Sequence, residues 1–145
     1  MNTYKILINI SIVLATVFFT ALIIYLTPLR YTHLIQPSID DISAADFYEK
    51  YTADPSKYIF LDVRGENSYN NLHAEGSINL PLHQLYNERN NLPRKDQEIV
   101  LICSGGAASG VGYSYLEHYG FTNINRVEGG IESWVEAGLP TQSNK

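Results

Sequence analysis

The sequence predicts an α/β fold: a mainly parallel central sheet of about five strands with helices on both faces, preceded by one transmembrane helix. Three observations point there. Short apolar runs alternate with helix-patterned stretches along most of the chain, as successive β-α-β units require. The strongest strand candidate, Glu98-Ile-Val-Leu-Ile-Cys103, is apolar at successive positions, as a strand covered on both faces must be. Ile6 to Leu26 contains no charged residue at all.

That apolar stretch comes first in the chain. At about 1.5 Å per residue it extends about 31 Å, the thickness of a hydrocarbon core. Asn9, Ser11, Thr16 and Thr20 interrupt it, at far lower cost than a charge. Lys5 and Arg30 flank it, and Tyr4, Tyr25 and Tyr31 lie near its ends, where amphipathic rings prefer the interface. A cleaved signal peptide would carry a shorter apolar region and a small-x-small site, which Thr27-Pro28-Leu29-Arg30 does not offer. A buried core helix is the third reading. The few flanking cations slightly favour an N-terminus inside and a domain outside the cytoplasm. We therefore read residues 1–30 as a membrane anchor, 31–40 as a linker containing Pro37, and 41–145 as one small domain.

Within the domain, Ser43 is the expected cap of a helix starting at Ala44, with Asp46 in capping-box register. Tyr58-Ile-Phe-Leu-Asp62 reads as a buried strand and Ser77 to Leu80, stopped by Pro81, as another. Leu82 to about Asn90 is a helix or turn. Glu98 to Cys103 follows as a strand, then Ala107 to Tyr119 as a helix ended by Gly120. Asn123 to Val127 is a further strand. Gly129-Gly130 forms a tight turn into a last helix, Ile131 to Ala137, which Gly138 stops.

Composition narrows the chemistry. The net charge of −5 and the lack of any Lys/Arg run argue against nucleic acid as a partner. One cysteine in 145 residues excludes an internal disulfide and a multi-cysteine metal site. None of His33, His73, His83 and His118 pair at H-x-x-x-H spacing, so neither a metal nor another cofactor is expected.

Cys103 stands where an open parallel sheet places its sites, between a buried strand and a helix. The loop after it, Ser104, Gly105, Gly106, Ala107, Ala108 and Ser109, is made of small residues whose N–H groups can turn toward one centre. Such a nest at a helix N-terminus favours negative charge, hence the thiolate, which is the nucleophilic form. The bland reading is a small buried cysteine at a strand end; the loop position predicts an exposed thiol instead.

These residues also carry a resemblance. Leu61-Asp-Val-Arg64, Tyr69, His73, Gly76-Ser-Ile-Asn-Leu-Pro81, Val100-Leu-Ile-Cys103-Ser-Gly-Gly106, Glu128-Gly-Gly-Ile-Glu-Ser-Trp134 and Ala137-Gly-Leu-Pro140 resemble, in order, the motifs of the rhodanese family. The resemblance implies a sulfurtransferase in which Cys103 carries a persulfide between a small sulfur donor and a thiol or protein acceptor. It implies substrate binding by Ser104 to Ser109, with Ser109 either a hydroxyl donor or a helix cap. Asp62 and Arg64 are expected to form a supporting pair, and His73 and Trp134 to be structural. Family members often carry Arg where Ser104 and Ala108 stand, and Cys103 to Asn125 contains no Lys or Arg. Anionic donors should therefore bind weakly, leaving persulfide stabilisation to backbone dipoles. Two other readings stay open: a weakly catalytic binding module at a membrane, and a cysteine phosphatase or arsenate reductase, which Ser109 in place of a loop-closing Arg argues against.

Overall fold

The computed structural model describes residues 3–26 and 39–144. Most of the predicted linker lies outside those residues, as do the flanking Arg30 and Tyr31.

Helix α1 (Thr3–Leu26) takes up the apolar stretch. Its Thr16 and Thr20 hydroxyls donate back to the Ile12 and Thr16 carbonyls at 2.8 Å each, so the polar atoms are satisfied within the helix. Leu7–Leu26 has a mean hydropathy of 2.5, long and apolar enough to cross a membrane. None of it is buried against the rest of the described chain, unlike the helix of a soluble core.

The domain has a five-stranded, all-parallel sheet, as predicted. Its strands are β1 (Asp41–Ile42), β2 (Tyr58–Asp62), β4 (Ile78–Asn79), β5 (Glu98–Ile102) and β6 (Ile124–Val127), in the order β1-β6-β5-β2-β4. Strands β3 (His73–Ala74) and β7 (Thr141–Gln142) form a separate antiparallel pair. The helices are α2 (Ala44–Ala53), α3 (Glu66–Asn71), α4 (Leu82–Glu88), α5 (Ala107–His118) and α6 (Gly130–Glu136). Ser43 caps α2 by accepting the Asp46 N–H at 3.1 Å, as its position predicts.

Alternation along the central strands splits the core into two layers. Ile99, Leu101 and Cys103 pack with Leu61, Val63, Leu85, Tyr113 and Leu116 on the side of α4 and α5. Val100 and Ile102 pack with Phe47, Phe60, Ile131 and Trp134 on the side of α2 and α6. The second layer is aromatic: the Phe47 ring meets Phe60 edge-on at 4.7 Å, and Phe60 lies 5.5 Å from Trp134. Trp134 is fully buried in this layer, and its indole N–H donates to the Pro140 carbonyl at 2.8 Å.

Strands β1, β3 and β7 and helix α3 have no counterpart in the sequence reading. Two residues cannot display a period, so these strands exist only through their partners. Helix α3 is Glu-Asn-Ser-Tyr-Asn-Asn, a poor helix former, starting at Gly65 without a side-chain cap.

Candidate active site

Because the sheet is parallel, the loops after β2, β5 and β6 leave from one edge. The loop after β5 is shaped by its neighbour α6. The Cys103 carbonyl accepts the Ile131 N–H at 2.8 Å, and the Ser104 carbonyl accepts the Glu132 N–H at 3.2 Å. This approach requires glycine at position 130. Its φ is +63°, and a Cβ there would lie 2.3 Å from the Cys103 oxygen and 2.5 Å from that of Ser104. The predicted Gly129-Gly130 turn is thus a docking device for the loop.

Gly106, at φ +102°, turns the chain into α5 and directs its N–H to the Cys103 Sγ at 3.1 Å. Ser109 Oγ lies 3.3 Å from the same sulfur and donates to the Gly106 carbonyl at 3.1 Å. Gly106 itself is the N-cap of α5, so Ser109 is not a helix cap. Both Gly106 and Ser109 are buried, and Ala108 is half-buried against the core layer that contains Cys103. Ser104, Gly105 and Ala107 are exposed and form the outer rim.

Cys103 is only 2% exposed, which corrects the expectation of an exposed thiol. The sulfur points inward, between the Gly106 N–H and the Ser109 hydroxyl, and its backbone faces α6.

A cation from outside the loop also reaches it. Although Cys103 to Asn125 holds no cation, Arg126 on β6 reaches the loop from the side. Its Nη1 donates to the Gly106 carbonyl at 3.0 Å. Its Nε and Nη2 donate to Asp41 on β1 at 2.6 and 2.8 Å. The hydrogen-bonded Asp41 carboxylate, working against partial burial, holds the guanidinium above its ordinary range. The loop backbone is therefore held by a side chain from β6 as well as by its own amides. No local motif announces Arg126; only the parallel pairing of β6 between β1 and β5 brings it there. A carboxylate completes the setting, since a Cβ on Gly105 would sit 3.4 Å from Glu132 Oε2.

Asp62 and Arg64 pair at the end of β2. Arg64 Nε donates to both Asp62 oxygens at 2.9 and 3.0 Å, and Nη2 donates to Oδ2 at 2.6 Å. Asp62 is fully buried, and the same guanidinium also donates to the Leu72 carbonyl at 2.7 Å. Asn79 Nδ2 ties the backbone of both residues, donating to the Asp62 and Arg64 carbonyls at 3.0 and 2.9 Å. His73 is buried, stacked on Tyr69 at 3.8 Å, with Nδ1 on the Tyr69 carbonyl at 2.8 Å. Each of these groups is thus tied to backbone or ring partners around the exit of β2. Among the described residues no cluster of three or more His, Cys, Asp or Glu assembles to hold a metal.

Residues 43–137 match the Rhodanese-like domain family. Among solved structures, a rhodanese-related protein from Thermoplasma volcanium is 36% identical, with a TM-score of 0.63 over 71% of this chain and 97% of its own. YrkF of Bacillus subtilis, named as a candidate sulfur carrier protein, is 33% identical over 98 residues, 68% of this chain and 52% of its own. The tRNA uridine(34) hydroxylase of Photorhabdus laumondii is 29% identical over 139 residues, 75% of this chain and 39% of its own. The chain thus spans about half the length, or less, of these two relatives.

Proposed function

The chain belongs to the rhodanese-like family, and we propose that it is a sulfurtransferase or persulfide carrier working through Cys103 at a membrane surface. The observation that carries this reading is the setting of Sγ, which receives the Gly106 N–H and adjoins the Ser109 hydroxyl at the start of α5. An anionic sulfur gains from both donors and from the helix N-terminus.

In the first step the Cys103 thiolate attacks the outer sulfur of a donor. A bond forms between Sγ and that sulfur, and the donor's own bond to it breaks. The leaving group departs with the electron pair, as sulfite from thiosulfate or as a thiolate from an organic persulfide. In the second step an acceptor thiolate attacks the outer sulfur, the Cys103 S–S bond breaks, and the cysteine returns as thiolate. Gly106, Ser109 and the α5 N-terminus hold negative charge throughout, as an oxyanion hole does. Helix α1 would keep this cycle next to a bilayer, placing donor or acceptor among molecules that reach the membrane surface.

The test is mass spectrometry of the full chain in detergent after exposure to thiosulfate, glutathione persulfide or mercaptopyruvate. A gain of one sulfur atom, lost in Cys103→Ser, is expected. A second reading, a membrane-tethered binding module with little turnover, is favoured by the burial of Cys103 and by the neutralisation of Arg126 by Asp41. No sulfur gain from any of the three donors would select it.

A further inference from the structure

The Gly106 carbonyl is a convergence point. It accepts from the Gly110 N–H at 3.0 Å, from Ser109 Oγ at 3.1 Å and from Arg126 Nη1 at 3.0 Å. Serine has a single hydroxyl hydrogen, so Ser109 cannot serve Gly106 and Cys103 at once. With a neutral thiol there is no conflict: the S–H points to Ser109 Oγ and the serine hydrogen to Gly106. A thiolate or persulfide is an acceptor only. The serine hydrogen must then turn to the sulfur, and the buried Gly106 carbonyl loses a donor.

We propose that Arg126 is a positioning residue of the sulfur site, holding the Gly106 carbonyl so that the Ser109 hydroxyl is free to turn to Cys103 when the sulfur becomes anionic. This rests on the sulfur-transfer reading. With Arg126 in place, both lone pairs of the carbonyl stay occupied after the turn, by Gly110 and by the guanidinium. The close fit supports a built arrangement: a Cβ on Gly110 would lie 2.9 Å from Nη1, so glycine there makes room for the guanidinium. Asp41 fixes the other edge of the fork. The charged groups around the loop are Arg126 and Asp41, Glu128 after β6, Glu132 on α6 beside Gly105, and the Asp62–Arg64 pair on the neighbouring β2.

The readout is the pH profile of Cys103 alkylation in the full chain, which is unambiguous because there is one cysteine. Arg126→Gln should move the midpoint upward and slow alkylation at neutral pH by about three- to tenfold. Gly110→Ala leaves both side chains in place and suits a helix. It should push the guanidinium aside and give a smaller shift of the same sign. In a Ser109→Ala background, Arg126→Gln should shift the midpoint less than half as far. A profile unmoved by Arg126→Gln, or a shift equally large without Ser109, overturns the proposal. Failure of the wild-type chain to take up sulfur would instead sink the sulfur-transfer reading, while the alkylation profiles would still report on Arg126.

Discussion

Two arginine–aspartate forks lie at the same edge of the sheet, and they do different work. Arg64 and Asp62 are neighbours in sequence, the carboxylate fully buried and the arginine side chain 10% exposed. Arg126 and Asp41 are 85 residues apart and sit on adjacent strands, with side-chain exposures of 18% and 33%. The first guanidinium also donates to the Leu72 carbonyl, beyond the exit of β2. The second also donates to the Gly106 carbonyl, next to the sulfur. Similar chemistry thus gives an internal strut in one place and a support for the Cys103 loop in the other. Burial determines what breaking each costs; the third contact determines what it does.

The contrast can be tested by removing each arginine in turn. Arg64→Ala leaves the Asp62 carboxylate buried without its partner and should cost about 3–5 kcal/mol in denaturant unfolding. A loss near that of an ordinary surface pair would erase the distinction. Gly130→Ala strikes the link between the Cys103 loop and α6, where the backbone has no room for a Cβ. It should cost about 2–3 kcal/mol and abolish sulfur uptake, since the Cys103 and Ser104 carbonyls must move. Uptake retained at wild-type level would mean that α6 does not shape the loop.

Arg126→Ala should cost less, about 1–2 kcal/mol, because this pair is only partly buried, while impairing Cys103 reactivity. The same unfolding series, run beside alkylation, checks both halves. Cys103→Ser should also be mild, about 1 kcal/mol or less, because a hydroxyl can accept the Gly106 N–H that the sulfur accepts now. A larger loss would mean that the sulfur matters chiefly to packing.

The smallest effect is alkaline. Each fork has a tyrosine nearby whose ionisation burial pushes upward: Tyr69, which also feels Asp62, and Tyr113, beside Asp40. A raised folded value means that the stability from the neutral phenol is complete below about pH 10 and is lost as pH rises through the folded value. Melting temperatures should fall over that range, and Tyr69→Phe and Tyr113→Phe should each flatten the fall. Unchanged slopes would mean that both phenols become solvated before the domain unfolds.

Several of these elements are readable from local sequence. The β5 run, the Cys103 loop, the Ser43 cap, the Gly129-Gly130 turn and the Asp62–Arg64 fork all lie within short windows, where propensity, periodicity and reach along the chain decide the outcome. Strands β1, β3 and β7 are too short to carry a period, and α3 forms despite its composition. The burial of Cys103 was also hidden, because a loop position leaves open which way its side chain turns; the docking of α6 settles that.

The chain's order of residues is enough to specify an apolar helix, a parallel α/β domain, a cysteine at a strand end and an arginine braced two residues from its aspartate. It does not reveal that Arg126 stands beside a loop that begins more than twenty residues earlier, or that its counterion comes from the strand after the linker. Those contacts depend on β6 lying between β1 and β5. Sheet order is set by the joint burial of two apolar layers, a property of the packed domain that no segment of the chain contains.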